Sequence, residues 1–239
     1  MEEIIIKVFR FDPDVDKKHH FDKFVVPYER GMTVLDCLLY IQSHLDGSLA
    51  FRYSCREGVC GSCAMHINGK YQLACEAQVS ELKSKSITVR PLAHLPIVRD
   101  LFVDLEPFWE KYKLIKPYLI PGKPSVDGKE RLQKVEDRSK LDQIVDCILC
   151  GCCFSSCMLT KTDPNYIGPA ALAKADRFVL DSRDSATEER LAIIGGDDGV
   201  FKCHTMFNCL EVCPKDVNPT KRIADLKNKL VCSKYKLGT

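Results

Sequence analysis

The residues best suited to chemistry lie in two cysteine runs. The first reads Cys147-Ile-Leu-Cys150-Gly-Cys-Cys153-Phe-Ser-Ser-Cys157, the second Cys203-His-Thr-Met206-Phe-Asn-Cys209-Leu-Glu-Val-Cys213-Pro214. Taken at Cys147, Cys150, Cys153 and Cys157, the thiols of the first run stand two, two and three residues apart. The second run keeps that spacing with Met206 in place of its second cysteine. Thiolates so spaced hold iron–sulfur clusters, and the fourth cysteine of each run ligates the cluster of the other. Crossing the fourth positions makes Cys147, Cys150, Cys153 and Cys213 a full set for [4Fe-4S] and leaves Cys157, Cys203 and Cys209 as a set of three. A thioether is a far weaker iron ligand than a thiolate, so the second set suits [3Fe-4S], with Met206 only packing against it. Structural zinc also uses four cysteines at short spacings, but zinc explains neither the crossed pattern nor the missing ligand.

A third run, Phe51-Arg-Tyr-Ser-Cys55-Arg-Glu-Gly58-Val-Cys60-Gly61-Ser-Cys63, is followed by Cys75. Four-then-two spacing with a distant fourth cysteine is the plant-type [2Fe-2S] pattern. Gly58 and Gly61 suit a loop that must bring N–H groups close to sulfur through unusual backbone angles. Cys37, Cys152 and Cys232 are left as packing thiols.

At 239 residues the chain can hold two modest domains. Fourteen cysteines would suit a secreted disulfide scaffold only in a short chain with dispersed spacing and a signal peptide. The start, Met1-Glu2-Glu3-Ile4, carries no basic region, and no apolar run approaches the ~18 residues of a membrane span. The expectation is a soluble protein in a reducing compartment. A net charge of +2 gives no argument for nucleic acid, although the tail from Lys215 onward is basic.

The elements that must position these runs follow from periodicity. Ile4, Ile6 and Val8 alternate as one face of a strand, and a second strand covers about 21–26. Asp12, Asp14 and Asp16 imitate a calcium loop, but Lys17 and Lys23 replace its glycine and closing glutamate. Thr33-Val-Leu-Asp36 is a capping box opening a helix whose buried face is Val34, Leu35, Leu38, Leu39 and Leu45. Asn68-Gly69 marks a hairpin that returns Cys75 toward the loop, and 86–89 supplies another strand. From Asp100 the spacing of Leu101, Leu105, Phe108, Tyr112 and Ile115 predicts a helix. Pro117, Pro121, Pro124 and Asp127-Gly128 then form a connector. Helices are expected over 170–180 and 223–231. The fold class is α+β, a small mixed sheet over one helix and then a mainly helical part, with domains at 1–103 and 104–239.

Groups for bond chemistry are nearly lacking. Gly195-Gly196-Asp-Asp-Gly199 lacks dinucleotide spacing, and no phosphate-binding loop is visible. Only His204, among scattered histidines, sits inside a cluster motif. Three centres of different type imply a one-electron wire between a two-electron donor site and another site, both in partner subunits.

Phe51 to Cys63, Arg90-Pro-Leu, Pro96-Ile-Val-Arg-Asp100-Leu, Ile167-Gly-Pro-Ala170, Asp181-Ser-Arg-Asp184 and Cys203 to Pro214 resemble the iron–sulfur subunit of succinate dehydrogenase and fumarate reductase over nearly the whole chain. The resemblance implies an N-terminal β-grasp, plant-type ferredoxin domain followed by a helical, bacterial-ferredoxin-like one. It implies a flavoprotein partner with covalent or tightly bound FAD and a membrane anchor that binds quinone, with or without haem b. Electrons would pass in the order FAD, [2Fe-2S], [4Fe-4S], [3Fe-4S], quinone. The place implied is peripheral on the cytoplasmic face of the inner membrane, or the matrix face in a mitochondrion. His204 matches the family histidine beside the quinone, with support of the three-iron centre as its competing role. Two positions depart from the family. Met158 stands where proline often follows the cysteine, and Lys161-Thr162 occupy the stretch of a tryptophan pair. These departures keep open an alternative in which a cysteine-rich, thiol-oxidising partner replaces the quinone anchor.

Overall fold

The computed structural model describes residues 2–122 and 128–235. The chain forms two compact units, Met1–Pro107 with Ile148–Ser156, and Phe108–Cys147 with Cys157–Thr239.

In the first unit β1 (Glu2–Arg10) runs through the middle of the sheet. Its alternation buries Ile4, Ile6 and Val8. It pairs antiparallel with β2 (His20–Tyr28) and parallel with β5 (Ser86–Arg90). The hairpin of β3 (Ala64–Ile67) and β4 (Lys70–Leu73) completes the order β2-β1-β5-β3-β4, the mixed sheet of a β-grasp ferredoxin domain. Asn68 and Gly69 take φ of 45° and 93° at its tip, as a type I′ turn requires.

Helix α1 (Val34–Tyr40) opens on a complete capping box: the Asp36 N–H donates to Thr33 Oγ1, and the Thr33 N–H to the Asp36 carboxylate. It buries Val34, Leu35, Cys37 and Leu38, while Leu39 is half-buried and Leu45 is 47 % exposed. The helix widens into a π turn at Ile41–Leu45, where the Asp46 N–H donates to the Ile41 carbonyl. An i→i+5 bond rotates the following side chains off the expected face, which takes Leu45 out of the core.

The helix expected from Asp100 starts later. Residues 97–103 form a small hairpin of β6 (Ile97–Arg99) and β7 (Phe102–Val103), and α2 spans Glu106–Leu114. Asp100 takes φ of 48° at the bend. Its buried carboxylate accepts from Arg10 Nε, the Phe11 N–H and the Ala50 N–H, each at 3.0 Å. Arg10, at the end of β1, also donates to Asp22, Asp46 and Ser48. This network ties β1 to the chain entering the first cysteine loop. Asp46 is drawn down to about 2 by the Ser48 side chain, then, against the cost of burial, by Arg10.

In the second unit α6 (Pro169–Val179) packs on α9 (Pro219–Tyr235), with α3 (Val135–Ser139), α5 (Met158–Thr162), α7 (Thr187–Ile194) and α8 (Asn208–Glu211) as shorter pieces. Helix α4 (Cys152–Ser156) belongs to the first unit. Leu172, Phe178, Ile194, Ile223 and Leu226 lie in the second unit's core. Arg190 is fully buried, paired with Asp184, and donates to the carbonyls of Ile115, Lys116 and Tyr118. These bonds fasten the chain leaving α2, including Pro117; the connector positions 123–127 lie outside the described residues. Asp181 accepts from Arg183 and Gln133 and pairs with Arg177.

Replacing Asp100 with alanine leaves Arg10 short of its buried partner and should lower stability by about 3 kcal/mol, read by denaturant unfolding. Asp46 ionises at about 2 when folded, against an ordinary 3.8. Its contribution is therefore complete above about pH 4 and lost as pH falls through 2, so Asp46→Asn should flatten the acid limb of the stability profile in that window.

Candidate metal centres

The first centre is built on the irregular chain at 51–63, between α1 and β3. Two contacts set its ends. Ala50 is held by Asp100, and the Ala74 N–H donates to the Cys63 carbonyl at 3.0 Å, bringing Cys75 back beside the loop. The first amides of α1 reinforce this return, since Val34 and Leu35 donate to the carbonyls of Ala77 and Ala74. Within the loop the N–H groups turn toward sulfur. Cys55 Sγ accepts from Val59 and Cys60 at 3.3 Å and from Glu57 at 3.5 Å. Cys60 Sγ accepts from Cys55 at 3.5 Å, and Cys75 Sγ from Gly58 at 3.2 Å.

Two glycines make this possible. Gly58 takes φ of 72°, and a side chain there would strike the Glu76 carboxylate. Gly61 takes φ of 73°, and a Cβ would lie 2.9 Å from Cys150 Cα and Cβ, because the segment 148–156 crosses it. The thiols divide accordingly. Burial opposes ionisation of Cys60, but hydrogen bonds from the Cys55 N–H and from Ser62 bring it down to about 6. Burial pushes Cys63 up to about 12. A loop of four cysteines with amides aimed at sulfur fits a polynuclear iron–sulfur group, whose sulfurs need such donors.

Cys150 and Cys153 also belong to the first unit, either side of Cys152, which is fully buried. The Cys152 side chain hydrogen-bonds Cys150 and lowers its thiol. In the second unit Cys213 Sγ accepts from the Val217 N–H at 3.4 Å, and Cys147 lies near Tyr112 and Lys174. Cys37 is buried in α1 and pushed up to about 12 by burial, and Cys232 is half-buried on α9.

The expected set of three comes together in the second unit. Cys157, Cys203 and Cys209 line one small pocket, with a cavity volume of about 20 Å³. Cys157 caps α5, Cys203 follows a short 3₁₀ turn, and Cys209 sits on α8. Burial pushes Cys157 and Cys209 up. Lys227 of α9 fixes the Cys203 carbonyl at 2.8 Å. Met206 lines the same pocket and is 54 % exposed, with Met158, Phe207 and His204 exposed beside it. Among the described residues no three His, Cys, Asp or Glu side chains converge to chelate one ion; these three thiols surround a space. Two polar lining residues escaped the reading of the sequence, Tyr166 and Thr220. Their only signals were an aromatic before Ile167-Gly-Pro and a hydroxyl after Pro219.

Fold and thiol sets together define an iron–sulfur electron carrier with a ferredoxin domain and a dicluster domain. A family model described as a 2Fe-2S iron-sulfur cluster binding domain matches residues 5–110, and one described as a 4Fe-4S dicluster domain matches 143–217. The mitochondrial succinate dehydrogenase [ubiquinone] iron-sulfur subunit of Candida glabrata is 44 % identical over 227 residues, 94 % of this chain and 90 % of that one. That of Dictyostelium discoideum is 44 % identical over 230 residues, 92 % of this chain and 80 % of that one. A chain of the Mycobacterium smegmatis Sdh1 complex in the apo form superposes with a TM-score of 0.88 at 28 % identity, covering 98 % of this chain and 97 % of that one. A hypothetical protein from Helicobacter pylori, at 20 % identity and a TM-score of 0.56, shares the fold over 95 % of this chain and 39 % of its own. The chain belongs to the family of succinate dehydrogenase iron–sulfur subunits. It is an electron-transfer subunit of the succinate:quinone oxidoreductase complex.

Gly61→Ala forces an unfavourable φ, costing about 1–2 kcal/mol, and drives a methyl into Cys150. Iron and sulfide analysis should show a reduced [2Fe-2S] content. Gly69→Ala, with φ of 93° but nothing within 4 Å, should lower stability while leaving that content intact.

Proposed function

We propose that the chain carries single electrons between an FAD-holding flavoprotein and a quinone site on a membrane anchor. Cys55, Cys60, Cys63 and Cys75 would hold [2Fe-2S]. Cys147, Cys150, Cys153 and Cys213 would hold [4Fe-4S], and Cys157, Cys203 and Cys209 would hold [3Fe-4S]. The observation that carries this reading is the gathering of Cys157, Cys203 and Cys209 round one pocket with Met206 on its wall. Such groups, when bound, take up and release one electron at a time with little structural change. The chain's own part is to hold the thiolates apart in fixed array, to aim N–H groups at sulfur, and to exclude water from Cys63, Cys75 and Cys209, all nearly buried.

The exposed rim of Met158, Met206 and Phe207 suits contact with an apolar anchor surface, and His204, exposed beside it, would meet the quinone or support the three-iron centre. Among the described residues no helix is long and apolar enough to cross a membrane. Attachment through an anchor subunit, with or without haem b, accounts for a peripheral position on the cytoplasmic or matrix face.

Cys63→Ala should abolish the reduced-state [2Fe-2S] paramagnetic signal and leave the other two centres visible; an unchanged spectrum would show that the loop is built differently. The chain freed of flavoprotein should give no succinate oxidation with a soluble acceptor, and measurable turnover would contradict a pure relay.

A further inference from the structure

In the pocket of Cys157, Cys203 and Cys209, backbone amides of Leu159 and Thr160 face Cys157, but side-chain hydroxyls face the other two sulfurs. At Cys55 the donors are three backbone amides. At Cys209 the partner is a side-chain hydroxyl, Thr220 Oγ1, buried and 3.2 Å from Sγ. At Cys203 it is the hydroxyl of Tyr166, within hydrogen-bonding reach of the thiol. Tyr166 is 1 % exposed and Thr220 5 %, so bulk water does not compete for either bond. Both are held from outside the pocket. Lys111 of α2 donates to the Tyr166 carbonyl at 2.7 Å, and Thr220 lies in the first turn of α9. An iron-bound sulfur has no proton to give, so the hydroxyl must be the donor in each pair.

We propose that Tyr166 and Thr220 are positioning residues that set the redox potential of the three-thiolate centre by donating one hydrogen bond each to Cys203 and Cys209. The inference rests on the assignment of those cysteines to [3Fe-4S]. A donor aimed at sulfur stabilises the more negative, reduced form, and potential follows hydrogen bonding to the sulfurs and solvent exposure. A tyrosine hydroxyl and a threonine hydroxyl both carry their protons near neutral pH, so each can donate. The chain can thus make this centre easier to reduce without a further ligand, which suits the last position before an acceptor.

The test is redox titration, on the complex with its clusters in place, of the oxidised-state three-iron paramagnetic signal in the parent and in Tyr166→Phe, Thr220→Val and Thr220→Ser. Tyr166→Phe and Thr220→Val should each shift the oxidised-to-reduced ratio at fixed potential about tenfold toward oxidised, equal to ~59 mV for one electron. Thr220→Ser keeps the donor and should restore the parental midpoint, and the [2Fe-2S] and [4Fe-4S] midpoints should not move. Should Thr220→Val lose iron, Tyr166→Phe and Thr220→Ser still decide the matter. A parental three-iron signal whose midpoint is unmoved in Tyr166→Phe, or that moves together with the other two centres, overturns the inference while leaving the ligand assignment standing. A parent without any three-iron signal overturns both.

Discussion

A thiolate removed from water must be given hydrogen-bond donors, and the shape of the first cysteine loop follows from that constraint. Regular structure commits most of its amides to its own ladder, so sulfur is served by irregular backbone or by the free amides at a helix start. The stretch at 51–63 is such backbone. Gly58 and Gly61 adopt left-handed angles, and Arg56 joins them with φ of 64°. A loop of this kind has little stability of its own, and its shape is imposed from outside. The Asp100 carboxylate fixes its start, the β3–β4 hairpin brings Cys75 to Cys63, and the N-terminal amides of α1 hold the chain around Cys75. The β-grasp sheet thus acts as a clamp on a strained loop.

The second unit meets the same demand with different means. Its cysteines sit on short helical pieces, and hydroxyls of Tyr166 and Thr220 face Cys203 and Cys209, while backbone amides serve Cys157 and Cys213. The long partners α6 and α9 form the frame. Arg190, buried with Asp184 and bonded to three carbonyls of the chain after α2, secures a stretch with little regular structure. A buried ion pair adds little net stability but fixes one arrangement, because removing one member strands the other. That is a structural reason for the Asp181-Ser-Arg-Asp184 motif.

The sequence allowed the three cysteine sets to be proposed because ligand spacing is a local property. Cys157, Cys203 and Cys209 do line one pocket. The β1 alternation, the Thr33 box and the Asn68-Gly69 turn were equally local, and all three appear. Most of what could not be read depended on partners remote in sequence. Leu101 fits a helical period with Leu105 and Phe108, yet Asp100 bends the chain because Arg10 and Ala50 claim its carboxylate. Leu45 leaves the core because a π turn intervenes. Tyr166 and Thr220 carry no motif, and their role appears only when helices distant in sequence bring them to the thiols.

Met206 is the residue on which the three-iron assignment turns, since it occupies a cysteine position in the spacing and lies on the pocket wall. The most direct measurement is the paramagnetic spectrum of Met206→Cys, reconstituted with iron and sulfide, beside that of the parent. The account predicts that the variant loses the oxidised three-iron signal and gains a second reduced-state [4Fe-4S] signal, because the added thiolate can hold the fourth iron. A parent lacking any oxidised three-iron signal, with iron and sulfide analysis showing intact clusters, would contradict the assignment of Cys157, Cys203 and Cys209.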